Sequence, residues 1–259
     1  MTIRAKSAFS SLYEEYQPRL DKVSNSGDAE SLRRNISDFV GFIGFEHFIY
    51  ASFIPSERGH SKDDIVVING YPQEWRERYD HKGYSSVDPV VLSCRRNVMP
   101  LKWSNIALGQ FKNGQREQDV AVMDEAKEFG LAYGWTVPLH NAGGEWNLFS
   151  IASSSYDDFF MYDHDPRLAL TYLILPVIDK VITETSVERL EKQSKANSVT
   201  KREREVIAWA ADGKTNWEIS QIIGVSESTV RFHLKNVARK MGATNTVSAV
   251  SKAILYGII

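Results

Sequence analysis

Two groups of side chains in this chain have the types and spacing to do chemistry. Tyr71, Trp75 and Tyr79 recur every four residues, so on a helix they would line one face, each with a polar tip on a large apolar ring. A buried Tyr or Trp needs a partner for that tip, and Asp88, followed by Pro89 and an apolar run, is a candidate buried carboxylate nearby. A few directed donors and one acceptor among apolar rings make a small-ligand cavity; an ordinary aromatic core is the other reading of the same stripe. The second group is cationic. Arg231, Lys235 and Arg239 fall four residues apart and form one stripe on a helix, with Thr229, His233 and Asn236 beside it. Such a face suits a DNA groove. Arg bonds two acceptors of guanine, Thr and Asn reach base edges or phosphates, and the cations displace counterions.

The elements around the cationic stripe are strongly signalled. Thr200 and Glu203 form a capping box, and the helix it opens carries Val206, Ile207 and Ala210 inward and stops near Asp212 and Gly213. A short helix follows, with Asn216 as its cap and Ile219, Ile222 and Ile223 as its apolar face, ending at Gly224. Ser226 then caps a third helix whose apolar positions are Val230, Leu234, Val237 and Met241. Two helices joined at Gly224 make a helix-turn-helix. A fourth helix, capped by Thr246 and bearing Val247, Val250, Ile254 and Leu255, covers the bundle and leaves an apolar side for a partner subunit. Gly213-Lys214-Thr215 ends like a phosphate-binding loop, but that motif needs glycine at 208, where this chain has Ala208. Lys214 is read as a contact to the DNA backbone or a plain surface charge.

The preceding region reads as mixed α and β. Helices are expected at Ser31 to Phe42 and Arg116 to Phe129, the second stopped by Gly130. Strands are expected at His47 to Ile54, Ile65 to Ile68, Tyr133 to Leu139 and Trp146 to Ser153. A long helix then carries Leu168, Tyr172, Leu175, Ile178 and Ile182, with Pro176 inside it. This predicts an antiparallel sheet between helical layers.

The length of 259 residues favours two domains, and the charge separates them. Net charge is -2 overall, but the part from Val199 onward carries nine basic and five acidic residues, leaving the first part acidic. The division predicted is a sensor over residues 1–190, a linker over 191–199 and a DNA-binding domain over 200–259. One cysteine, Cys94, excludes an internal disulfide and fits a reducing cytoplasm. The start lacks the apolar stretch of a secretory signal, and the longest apolar run, Leu168 to Ile178, is too short to span a bilayer. Enzyme chemistry is not expected: the six histidines have no metal spacing, no G-x-S-x-G is present, and Cys94 reads as a packed thiol. The cluster Asp157, Asp158, Asp163, His164 and Asp165 is read as a solvated loop and helix cap, so no metal or cofactor is predicted.

The stretch VTKREREVIAWAADGKTNWEISQIIGVSESTVRFHLKNVARKMGATN resembles the DNA-binding domain of LuxR-type transcription regulators, with Glu203, Ile207 and Gly213 at the family's characteristic Glu, Leu and Gly. By that resemblance Thr229, Arg231 and Lys235 hold the positions that most often touch DNA. NGYPQEWRERYDHKGYSSVDPVVLSCRRNVMPLKW and the later GLAYGWTVPLH are similar to the family's autoinducer-binding domain, which receives acyl-homoserine lactones. The resemblance implies an α+β protein: an N-terminal α-β-α sandwich with an antiparallel sheet, then an all-α four-helix helix-turn-helix domain. It maps the family's pocket residues onto Tyr71, Trp75, Asp88 and Trp103, and its characteristic glycine onto Gly134. In family terms Trp75 donates to the lactone carbonyl, Asp88 accepts the ligand amide, Tyr71 bonds the acyl carbonyl, Trp103 packs on the lactone and Tyr79 walls the acyl chain.

Two departures bear on the ligand. Val90 stands where close relatives often have a hydroxyl, which leaves Ser150 as a donor to a tail oxygen or the acyl carbonyl. Trp135 either shortens the cavity or fills core. The whole predicts a ligand-controlled, cytoplasmic transcription regulator of quorum sensing, a homodimer on a near-palindromic double-stranded operator. A regulator that answers a different small signal, or acts without one, is the alternative.

Overall fold

The computed structural model describes residues 14–54, 64–107, 116–141, 144–155, 166–185 and 194–259. The chain divides into two compact units, with the main break between Ile182 and Thr183. Of the expected linker, 191–193 lie outside the described residues, whereas 194–197 are helical and Val199 is buried in the core of the C-terminal unit. The acidic cluster from Asp157 to Asp165 also lies outside the described residues. No helix among the described residues is long and apolar enough to cross a membrane.

The first unit is built on five strands: β1 (His47–Ile54), β2 (Asp64–Asn69), β3 (Leu101–Lys102), β4 (Tyr133–His140) and β5 (Trp146–Ser153). They pair antiparallel in the order β2-β1-β5-β4-β3. Because side chains alternate along a strand, the sheet has two different faces. Phe48, Tyr50, Trp135, Val137, Phe149 and Ile151 form one core with Leu32, Ile36 and Phe39 of α2 (Ala29–Phe42) and Ile174, Leu175 and Ile178 of α7 (Pro166–Thr185). α1 (residues 14–24) adds Tyr16 and Val23 to it. Ala51, Phe53, Leu148 and Ala152 face the other way. There they meet α3 (Gln73–His81), α4 (Pro89–Cys94), α5 (Trp103–Ala107) and α6 (Arg116–Lys127). The predicted sheet between helical layers is present. One residue of the long helix differs: Tyr172 is 36% exposed, while Leu168, Leu175, Ile178 and Ile182 are buried.

The second unit packs α8 (Lys201–Ala211), α9 (Asn216–Ile223), α10 (Glu227–Lys240) and α11 (Thr246–Leu255) around Ile207, Ile219, Val230, Leu234, Val237 and Met241. The Thr200 and Glu203 capping box forms as predicted, and Gly224, at φ 67°, ends α9 in the left-handed conformation that glycine tolerates. Two caps sit one residue earlier than expected. Thr215 rather than Asn216 caps α9, because its hydroxyl and Glu218 form a second capping box; Asn245 rather than Thr246 caps α11. The apolar faces also shift: Ile222, Val247 and Ile254 are exposed, and α11 buries Ala249 and Ala253 instead.

One ion pair ties the bundle together. Glu203 accepts from Lys240 Nζ at 2.6 Å, joining the start of α8 to the end of α10, and is almost fully buried. Burial pushes its carboxyl up, but the Lys240 ammonium and the amide and hydroxyl of Thr200 outweigh that and hold it below the ordinary carboxylate range. A depressed pKa adds stability that is present above the unfolded value and is lost as pH falls through the folded one. Glu203→Ala is expected to destabilise this unit by about 1–3 kcal/mol at neutral pH. The gap to wild type should close below about pH 4, checked by urea melts at several pH values.

Candidate functional site

A cavity of about 790 Å³, counted to its open mouth, lies between the second face of the sheet and the helices α3, α4 and α6. Ile49, Ala51 and Phe53 of β1, Ile65 and Val67 of β2 and Leu148 of β5 give it an apolar floor. Val122, Met123 and Ala126 of α6 close one side. All six residues singled out in this region, Tyr71, Trp75, Tyr79, Asp88, Trp103 and Ser150, border this one cavity. Trp135 does not: it lies beside Gly134 in β4, so alternation turns it to the opposite core.

The polar groups reach the cavity by different routes. Tyr71 lies two residues ahead of α3 rather than on it, because the helix starts after Pro72; its backbone is held by Asn69, whose Oδ1 accepts from Tyr71 N at 3.2 Å. Trp75 and Tyr79 lie one turn apart on α3 and touch edge to face with ring centroids 5.8 Å apart. Asp88 is half-buried and caps α4, its Oδ1 accepting from Val90 N at 2.8 Å and its Oδ2 from the Tyr79 hydroxyl at 2.8 Å. These bonds hold the carboxylate in place at the cavity wall. Trp75 is 4% exposed, and its indole Nε1 meets no acceptor among the described residues.

Trp103 follows β3, where Leu101 pairs with Thr136 and Lys102 with Trp135. The indole therefore lies over Gly134, where a Cβ would come within 2.7 Å of its ring carbons. Its Nε1 donates to Thr136 Oγ1 at 2.9 Å, and Thr136 Oγ1 is 2.8 Å from Ser150 Oγ. Burial pushes the Tyr71 phenol well above its ordinary range, an effect the Ser150 hydroxyl reduces and the Asp88 charge adds to. Burial also raises the Tyr79 phenol, with Asp88 adding to the shift. Both phenols are therefore neutral donors at physiological pH. Burial, with the Asp88 charge, pushes the Cys94 thiol up to about 12, so it is protonated and packed.

Thr136, Arg76 and Ser85 were not anticipated from the sequence. Arg76 and Ser85 border the cavity. Arg76 is paired with Asp80 at 2.6 Å. Thr136 had one available signal: it is two residues beyond Gly134 and so shares its face of the strand.

In the second unit, Arg231, Lys235 and Arg239 are exposed along α10, four residues apart. Arg231 is paired with Glu227 one turn earlier at 3.2 Å, and both are open to solvent. Thr229 lies in the first turn, half-buried, with its hydroxyl 2.8 Å from Ser226 Oγ; Asn236 is also half-buried. Lys214 is exposed in the turn before α9. Phe232, 60% exposed beside Arg231, is a further surface feature that a reading of charge alone overlooks.

The comparisons with known proteins cover both units. Residues 28–175 match the family described as autoinducer binding domain, and residues 197–253 match bacterial regulatory proteins, luxR family. The transcriptional activator protein VanR of Vibrio anguillarum is 34% identical over 241 residues, 92% of this chain and 93% of that protein. The transcriptional activator protein LuxR of Aliivibrio fischeri is 31% identical over 242 residues, 93% of this chain and 92% of that one. Among solved structures, SdiA of Escherichia coli superposes with a TM-score of 0.72 at 21% identity, covering 95% of this chain and 98% of that one, which shows a common fold.

Proposed function

The chain belongs to the LuxR family of quorum-sensing transcription regulators, an autoinducer-binding domain joined to a DNA-binding helix-turn-helix domain, and from that premise we propose that its signal is an N-acyl-homoserine lactone bound in the cavity of the first unit. The observation that carries the reading is that the Trp75 indole, whose N–H meets no acceptor among the described residues, and the fixed Asp88 carboxylate border one cavity with an apolar floor. A ligand that displaces water from this N–H must supply an acceptor for it, since a donor left buried without a partner costs about 1–3 kcal/mol. Trp75 donates a hydrogen bond to the lactone carbonyl and Asp88 accepts one from the ligand amide N–H. Tyr71, with Ser150 behind it, donates to the acyl carbonyl. Trp103 packs on the lactone ring. Tyr79 orients Asp88 and walls the acyl chain, which lies on Ile49, Ala51, Phe53 and Leu148 and gains about 0.8 kcal/mol per buried methylene.

Ligand binding shifts the population toward a DNA-competent form, which requires higher affinity for that form than for the other. The DNA reader is α10, with Thr229, Arg231, Lys235, Asn236 and Arg239 toward the groove and Lys214 on the backbone. The protein acts as a homodimer on a near-palindromic operator. Val247 and Ile254, 76% and 52% exposed and seven residues apart on α11, support an apolar face for the second copy.

Expression with a panel of acyl-homoserine lactones of short, medium and long chain tests the ligand. A rise in soluble yield or melting temperature is expected from at least one of them. No response from any chain length points instead to another signal, or to action without one. Arg231→Ala and Lys235→Ala are each expected to weaken operator binding and reduce the slope of log affinity against log salt by about 0.9, with ligand affinity unchanged. An unchanged slope in both would remove α10 from the interface.

A further inference from the structure

We infer that Thr136 and the indole N–H of Trp103 are positioning groups that fix the direction of the hydrogen bonds at the Tyr71 and Ser150 wall of the cavity, so that this wall presents a proton and selects a ligand with a carbonyl oxygen there. This rests on the proposed lactone site and assigns a role to a residue that does not itself border the cavity.

Direction follows from what each group can do. Trp103 Nε1 donates to Thr136 Oγ1 at 2.9 Å, and an indole N–H can never accept. Thr136 therefore cannot turn its own proton back toward Trp103. Among the described residues, the other polar group its hydroxyl meets is Ser150 Oγ, 2.8 Å away, and the two residues are 0% and 2% exposed. They are direct cross-strand partners on β4 and β5, so the sheet register holds them together. Thr136 gives its proton to Ser150. Ser150 still has a proton of its own, and its side chain borders the cavity, as that of Tyr71 does.

Three donors in sequence, Trp103, Thr136 and Ser150, make two bonds among themselves. One proton is left over. It cannot be at the Trp103 end, where the chain starts with a group that only donates. The surplus proton is therefore that of Ser150, whose side chain borders the cavity, and it emerges there. A carbonyl oxygen accepts it; a methylene or a pure donor at that point leaves it unmatched. Without the Thr136 hydroxyl the order is lost, since Ser150 no longer receives a proton from behind and can rotate to accept.

The test uses the full chain, Thr136→Val to remove the hydroxyl while keeping the side-chain shape, and Thr136→Ser to keep it. Each is titrated with an N-acyl-homoserine lactone and with its thioamide counterpart, whose sulfur is a weaker acceptor. Wild type and Thr136→Ser are expected to prefer the oxygen ligand by about tenfold, while Thr136→Val loses about tenfold in affinity for it and binds the two ligands nearly equally. A Thr136→Val protein that keeps the preference overturns the inference, even if both ligands bind more weakly, because a purely structural loss would weaken them in proportion. Thr136→Ala gives the same readout where valine lowers soluble yield. A wild type that binds neither ligand overturns the lactone reading itself.

Discussion

Trp75→Phe is expected to weaken lactone binding by roughly one to two orders of magnitude, while costing the ligand-free protein only the packing of the lost ring. The substitution keeps an aromatic ring against Tyr79, Tyr84 and Phe129, whose centroids lie 5.6–6.1 Å away, and removes an N–H that has no acceptor among the described residues. The folded protein gives up no hydrogen bond of its own. Only the bound state does. The same change at Trp103 would behave differently, because its N–H is engaged by Thr136. Melting curves with and without ligand, alongside titration, separate the two cases. Equal affinity in wild type and Trp75→Phe would mean that the indole N–H does not meet the ligand.

Gly134→Val is expected to remove ligand binding and lower the stability of the first unit by about 1–3 kcal/mol. The reason is space rather than backbone conformation. A Cβ at this position would lie 2.7 Å from three carbons of the Trp103 indole, and valine adds two methyl groups beyond it. Trp103 is 6% exposed and tied to Thr136, so it can move only by breaking that bond and shifting into the cavity. Adding Trp103→Leu should relieve the clash and restore much of the melting temperature without restoring ligand binding. A single Gly134→Val protein with wild-type stability and affinity would show that the indole is free to move aside.

Much of this arrangement is legible in the residues, and the exceptions share a physical cause. The bounds of β1 and β5 are legible because each is a run of eight residues dominated by apolar and aromatic side chains, which has few alternatives. The inward stripe of α10, Val230, Leu234 and Val237, is equally plain because its polar side is so strongly charged. Where a segment is apolar all round, periodicity loses its power. α11 offers Val247, Val250, Ile254 and Leu255, yet the side that packs is the one with Ala249 and Ala253, whose small side chains let helices approach closely. Tyr71 keeps the four-residue spacing of Trp75 and Tyr79 but is not helical, since Pro72 marks the start of α3.

The cavity shows the same division. Tyr71, Trp75, Tyr79 and Asp88 carry unusual residue types close together in the chain and are legible there, whereas Trp103 and Ser150 follow only from the family resemblance. Thr136 carries an ordinary residue type, and its importance comes from the register that sets it opposite Ser150, fourteen residues away. No local pattern encodes that pairing. Trp135 could be resolved only once β4 was fixed with Gly134 facing Trp103, because the choice of face for one residue of a strand decides it for the next.

The first unit is proposed as a receptor for an N-acyl-homoserine lactone. The most direct test of this role is the thermal unfolding of the full chain, wild type and Trp75→Phe together, across lactones of increasing acyl length. At least one lactone at a hundredfold excess over its dissociation constant is expected to stabilise the wild type by about 2.7 kcal/mol, a shift of several degrees. At the same concentration Trp75→Phe should show a clearly smaller shift. A wild type whose unfolding no lactone moves, or a variant stabilised as much as the wild type, would contradict this role.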